Sequence, residues 1–440
     1  MESDHRVHKS TLVRTISETD IIDCSKVTNS KDIDVETGNS NVKKRKLSDQ
    51  SLRKVRPYYY EYKTFAKGRW LGRNILDVFS TEFRDRPKEY YAYAIEKGLI
   101  TVNSKKVTAQ TIIKNQDLIG HRIHRHEPPV TAEPIKILCV ENDYIVIDKP
   151  SSIPVHPSGR YRHNTILHIL QKEHGFSNLH SLNRLDRLTS GIMILSSKKE
   201  KAQEFEQQMK GRKIQKEYIC RVAGEFPEEK VICDKPIKIV SHKLGLNVVH
   251  ENGKPCTTSF ERISYNGRTS VVKCKPLTGR THQIRVHLQY LGHPIANDPL
   301  YANSKAWGSE LGKGGIDEEK TNSVIENLTK EGFCEDGEMN FDTQKKTEDC
   351  KISQTNTGDN LKNEITDLQN ESNQAKAQIV ADEPNIQFCE ECSISKFSDP
   401  LLHQLLIWLH ALKYEGNGWK YESELPFWAK DDFVGDIDYV

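Results

Sequence analysis

The residues best suited to chemistry form the stretch Asn183-Arg184-Leu185-Asp186-Arg187-Leu188-Thr189-Ser190-Gly191. Here one carboxylate stands between two arginines, and Ser-Gly leads into the apolar run Ile192 to Leu195. An ionised carboxylate beside guanidinium groups can serve as nucleophile or base without a cofactor. The same residues also read as a surface ion-pair cluster at a strand start, a common feature worth little to stability. Two further stretches bear on the choice. Lys216 to Val222 alternates as a strand around Tyr218, although a strand tyrosine taken alone is ordinarily core. Leu277 to Leu288 turns through Gly279 into a helix with Ile284, Leu288 and Leu291 on one face. Arg285 follows Ile284 by one position and so projects about 100° away, at the edge of the apolar stripe.

The elements that must position these groups belong to a chain of 440 residues, enough for two or three domains with a sizeable core. Only 36% of residues are hydrophobic and the mean hydropathy is -0.67, low enough to expect disordered segments. A formal charge of +2 conceals an asymmetry: between Ser309 and Cys392 acidic residues outnumber basic ones 20 to 8, so the remainder is strongly basic. A basic folded part suits a polyanion such as RNA. Ten scattered cysteines, most of them in apolar runs, imply a reducing compartment. No apolar run reaches transmembrane length, so a soluble protein without a membrane partner is expected.

Residues 1–57 are polar and read as a disordered tail. Glu2, Asp4, Glu18 and Asp20 argue against a mitochondrial presequence, so a cytoplasmic or nuclear protein is expected. Lys43-Lys44-Arg45-Lys46 reads as a solvated basic run in preference to an import signal. Residues 58–130 carry two helical patterns, around Ile75 to Phe83 and Tyr90 to Lys97. A hairpin with an Asn-Ser turn follows, and then a basic edge of His121, Arg122, His124, Arg125 and His126. A larger α+β unit spans 131–304, with a helix from Thr165 to Glu173 capped by Asn164. Residues 305–395 read as an acidic disordered insertion, 396–430 as an apolar return with an Asn-Gly hairpin completing the preceding unit, and 431–440 as an acidic tail. Cys389-Glu390-Glu391-Cys392 is a lone CxxC, read as an incidental pair and not as a zinc site.

"NRLDRLTSG", "KEYICRV", "LTGRTHQIRVHLQYLGHPIANDPLY" and "IVIDKPSSIPVHPSGR" together resemble the motifs of the RluA-type pseudouridine synthases, in that family's order. "GLITVNSKKV" and "QDLIGHRIHRHE" resemble the small RNA-binding domain, named after a ribosomal small-subunit protein, that precedes such catalytic domains. The resemblance implies an α+β fold, with a mixed, mainly antiparallel catalytic sheet behind a small αβ RNA-binding domain. It implies an isomerase that turns a uridine into pseudouridine with no cofactor and no metal. It places the catalytic aspartate at Asp186, its arginine partner at Arg285 and the base-stacking tyrosine at Tyr218. Arg184, Arg187, Arg280 and His282 become RNA-binding residues. Ser152 stands where the family more often has glycine, and Asn183 where most members have histidine. Asn183, the acidic insertion and "LHALKYE" resemble the eukaryotic enzymes acting on position 32 of tRNA, which makes tRNA the expected partner of a monomer. Ribosomal or messenger RNA, or RNA binding without catalysis, stand as alternatives.

Overall fold

A computed structural model describes residues 52–83, 86–242, 244–331 and 399–435, with the short paired strands Phe388–Cys389 and Ile394–Ser395. The expected tail over 1–51, most of the expected insertion and the side chains of Cys389 and Cys392 lie outside those residues.

The first unit is a four-stranded antiparallel sheet in the order Tyr58–Phe65, Leu118–Arg125, Ile100–Val102, Lys105–Lys106. Asn103 and Ser104 both take left-handed conformations (φ 52° and 62°), as the two-residue hairpin turn between the last two strands requires. Asn74 starts the helix Ile75–Glu82 by accepting the Asp77 amide, and the helix Lys88–Glu96 follows. Trp70, Phe79, Tyr91 and Ile100 close a core between helices and sheet.

The second unit is built on a ten-stranded sheet. Its main path runs Val231–Cys233, Thr258–Tyr265, Thr269–Pro276, Gln215–Ala223, Leu409–Gly416, Ser190–Ser196, Tyr144–Lys149, Lys136–Glu141. His180–Ser181 adds to the Ser190–Ser196 strand and Trp419–Glu422 to the Leu409–Gly416 strand. All neighbours are antiparallel except Ser190–Ser196 beside Leu409–Gly416. Ile192 to Leu195 are fully buried, which is why that strand is an unbroken apolar run instead of an alternating one. The chain's late strand, Leu409–Gly416, thus lies in mid-sheet between the strand that follows Asp186 and the strand that carries Tyr218.

Four expectations change. Residues 52–57 are not tail: Leu52–Arg53 pairs with Val130–Thr131, and Arg53 forms an ion pair with Glu173. The helix Ile166–His174 is capped by Thr165, whose hydroxyl accepts the His168 amide, while Asn164 donates to the Pro128 carbonyl. The first part of the expected insertion is ordered, because Trp307, Val324 and Leu328 complete a second core with Leu246 and Val286. Its helices are Ser304–Trp307 and Glu318–Lys330, the second burying only Val324 and Leu328 among its charged residues. The expected acidic tail begins inside the fold, with Phe433 edge-on to Trp408 and under the Arg221 guanidinium.

Candidate active site

Asp186 sits in a loop between two strands, its side chain 29% exposed. Several groups hold the loop. The Asn183 side chain accepts from the Ile194 amide (2.8 Å) and donates to the Ile192 carbonyl (3.2 Å). Lys149 is completely buried, and its amine donates to the carbonyls of Pro150, Arg187 and Thr189 at 2.9, 3.1 and 2.8 Å. Three acceptors match the three donors of an ammonium. Burial, then Arg187, pushes the Lys149 pKa down to about 7, against the opposing pull of Asp186 and Asp148. Ser151 donates to the Leu188 carbonyl, and the Thr189 amide closes a turn on the Asp186 carbonyl. The aspartate is therefore exposed at its tip on a backbone that is fixed from below.

The helix Gln283–Tyr290 brings two groups to that tip. Arg285 is only 1% exposed, not at the stripe's edge. Its Nε and Nη2 bind the two oxygens of Asp298 at 2.7 and 3.0 Å, and its Nη1 lies 3.7 Å from Asp186 Oδ2. The pairing expected with Asp186 is thus a charge at short range and not a hydrogen bond, while Asp298 takes the bidentate contact. His282, expected among RNA-binding residues, is buried instead, with Nε2 3.8 Å from Asp186 Oδ2 and Nδ1 2.9 Å from the Tyr301 hydroxyl. It precedes the helix in a left-handed conformation (φ 55°), which costs a non-glycine residue of order 1–3 kcal/mol.

Tyr218 completes the group from the sheet. Its hydroxyl lies 2.7 Å from that of Tyr414 on the late strand, and Tyr414 also meets Asn183. Burial, then Tyr414, then the Asp186 charge push the Tyr218 pKa well up, so it is a neutral ring, 9% exposed. His410, on the same late strand, joins Ser190 (2.9 Å) to Ser423 (2.6 Å), and burial holds it neutral with a pKa near 4. The remaining expected residues spread outward. Arg184 is exposed, Arg187 lies over the Tyr161 ring at 5.7 Å, and Arg280 is exposed and leans on the Pro255 carbonyl. Reading the sequence missed Asp298, Tyr414 and Lys149. Asp298 and Lys149 stand inside quoted motifs, as Asn-Asp-Pro and Asp-Lys-Pro. Tyr414 stands inside the quoted LHALKYE, but nothing local ties it to Tyr218, because strand order brings the two together. Among the described residues no three His, Cys, Asp or Glu side chains cluster as metal ligands, and no helix is long and apolar enough to cross a membrane.

Residues 143–290 match the RNA pseudouridylate synthase family. Pseudouridylate synthase RPUSD2 of Mus musculus is 46% identical over 410 residues, covering 88% of this chain and 73% of that protein. The Saccharomyces cerevisiae protein named tRNA pseudouridine(32) synthase, mitochondrial, is 43% identical, covering 87% of this chain and 78% of its own. That organism's tRNA pseudouridine(31) synthase is 34% identical, covering 88% and 97%. Fold and relatives together define an isomerase, a pseudouridine synthase. Within that class the chain belongs to the RNA pseudouridylate synthase family, of the RluA type. One expectation falls. A cytoplasmic or nuclear protein was favoured over a mitochondrial one, yet a relative this similar is named mitochondrial. The acidic N-terminal residues behind that expectation lie outside the described residues, and presequence composition is too loose a rule to outweigh such a relative.

Proposed function

We propose that the protein converts uridine 32 in the anticodon loop of tRNA to pseudouridine, with Asp186 as the acting carboxylate and no cofactor. The reaction breaks the bond from C1′ to N1 of uracil, turns the base, and joins C1′ to C5, whose proton leaves. Nothing is oxidised or transferred to a second molecule, so a cofactor has no task. Attack on the sugar or base and abstraction of a ribose proton both call for an ionised carboxylate at the sugar. The observation that carries the reading is Asp186, exposed at its tip 3.7 Å from a buried arginine that Asp298 already holds. Tyr218 supplies a neutral ring for a base that has left its stack, and Arg184 and Arg187 flank the opening for phosphates or for the place the base vacates. tRNA position 32 is favoured by the yeast relative so named, which is more similar to this chain than its position-31 counterpart.

Asp186→Ala should abolish pseudouridine formation in a tRNA anticodon stem-loop and leave RNA binding within about twofold. Product at the normal rate would refute the role of Asp186. The choice of substrate is tested by mapping pseudouridine across cellular RNA after deletion of the gene. Loss at tRNA position 32 is expected, and loss confined to ribosomal or messenger RNA would overturn that part of the reading.

A further inference from the structure

Two nitrogens approach the Asp186 side chain, and both approach the same oxygen: Arg285 Nη1 lies 3.7 Å and His282 Nε2 3.8 Å from Oδ2. The pose of Arg285 is set by Asp298, and that of His282 by Tyr301. The His282 Nδ1 lies 2.9 Å from the Tyr301 hydroxyl, on a ring that is fully buried. The Tyr301 oxygen in turn accepts the Asn247 amide at 3.2 Å, and the Arg285 guanidinium lies over the same ring, 5.0 Å from its centroid. With one side of the oxygen taken by an N–H, the hydroxyl hydrogen is directed to Nδ1, which makes Nδ1 the acceptor of a neutral imidazole. The hydrogen of such a ring then sits on Nε2, facing the carboxylate, whereas the opposite tautomer would set a lone pair against Asp186. A protonated ring carries a hydrogen on Nε2 as well, so either charge state presents a donor to Oδ2. The left-handed backbone of His282 (φ 55°) fits this picture, since such strain persists where the surroundings over-determine it, and here they aim a ring at a carboxylate.

We infer that His282 is a positioning residue for Asp186: its Nε2–H, set by Tyr301, shares Oδ2 with Arg285 and leaves Oδ1 to meet the nucleotide. The inference rests on Asp186 being the acting carboxylate and adds a residue to that reading. At 3.8 Å the contact is longer than a hydrogen bond, as catalytic contacts often are before substrate arrives, and it shortens when a bound nucleotide closes on the carboxylate. Two donors of different kinds divide the task. Arg285 supplies charge, whereas His282 supplies direction, because a ring fixed at Nδ1 allows Nε2 one line of approach. A carboxylate free to turn about its last bond would offer the nucleotide either oxygen in a range of poses. Two donors on one oxygen remove that freedom.

The test uses the full-length protein and an anticodon stem-loop RNA, with thermal midpoints measured alongside. Asparagine tolerates a left-handed backbone but stops a bond short, at the place of Nδ1, whereas the amide nitrogen of glutamine reaches the place of Nε2. His282→Asn should therefore lower kcat about tenfold to a hundredfold with KM within about twofold, and His282→Gln should recover most of that loss. Tyr301→Phe keeps a ring beneath Arg285 and removes the hydroxyl that sets the imidazole. It should lower kcat about tenfold on its own and less than about twofold further in His282→Asn, because the contact it serves is already gone. A merely structural histidine would lower the thermal midpoint without separating the two substitutions at 282 and without coupling to Tyr301. Normal kcat in His282→Asn, equal losses in His282→Asn and His282→Gln, or losses for His282→Asn and Tyr301→Phe that multiply would each overturn the inference while leaving Asp186 as the acting carboxylate. Product at the normal rate from Asp186→Ala would overturn that reading, and the role of His282 with it.

Discussion

Asp298 holds Arg285 from behind as it faces Asp186. With two of its nitrogens tied to Asp298 and its side chain 1% exposed, the guanidinium has one orientation left, and that orientation presents Nη1 to Asp186. Asp298 is itself fixed, since Oδ1 accepts the Leu300 and Tyr301 amides at 2.9 and 3.1 Å. Asp298→Asn keeps the shape but replaces one acceptor by a donor against a guanidinium. It should lower kcat about tenfold to a hundredfold with little change in KM, since a displacement of the order of 1 Å costs that much. Asp298→Ala strands a buried charge and should destabilise by about 3–5 kcal/mol, read as a fall in thermal midpoint. A stable Asp298→Ala variant with normal kcat would show that Arg285 does not depend on Asp298. Asn183, where most of the family has histidine, has a structural part. Its amide bonds the strand backbone on both sides, so at this position it holds the loop in place and does not titrate.

Among the elements, the strand Ser190–Ser196 shows why the loop ends in glycine. Gly191 has φ +110°, and a Cβ there would overlap the carbonyl and amide of Ala411 on the parallel neighbour. Gly191→Ala should therefore push the late strand away from Asp186 and cost more than about 3 kcal/mol, or yield insoluble protein, as thermal unfolding or a solubility assay would show. A similar constraint explains Ser152, which stands where the family more often has glycine. It takes φ +68° while fully buried, and its hydroxyl accepts the Thr131 amide at 2.8 Å, which offsets the strain. Local chemistry of this kind is visible in a sequence: the alternation around Tyr218, the apolar run after Gly191 and the Asn-Ser turn all announce their elements. What stays hidden is what the local pattern does not encode. The Glu318–Lys330 helix buries only Val324 and Leu328, too narrow a stripe to stand out against its charges. Tyr414 and Tyr218 meet across 196 residues of chain, and no spacing rule connects them.

At the scale of the whole molecule, one carboxylate gathers several of the contacts that join the two units. Glu127 Oε1 accepts the Tyr58 hydroxyl at 2.5 Å and the His163 amide at 2.8 Å, and Oε2 accepts the Asn164 amide at 2.9 Å. Tyr58 also stacks on His163, with centroids 4.2 Å apart, and Arg125 of the first unit donates to the Gly159 carbonyl of the second. Burial alone would raise the Glu127 carboxyl, but the hydrogen bonds from Tyr58, Asn164 and His163 outweigh it and hold it below the usual carboxylate range. A depressed carboxyl stabilises the fold above its unfolded pKa and loses that contribution as pH falls through the folded value. The junction should therefore weaken in acid, below the usual carboxylate range, and be indifferent to pH near neutrality. Glu127→Gln supplies the same test without acid. A glutamine has one acceptor oxygen where three donors converge, so its amino group must face either the paired donors or the Asn164 amide. That mismatch should cost about 1–3 kcal/mol and expose the 126–135 segment to limited proteolysis, while the Asp186 loop, held by Lys149 and Asn183, keeps its geometry. On the proposal that the first unit also binds RNA, the variant should then retain kcat and lose affinity for a full tRNA more than for a short stem-loop. Equal loss for both RNAs would show that the first unit contributes nothing to holding the substrate.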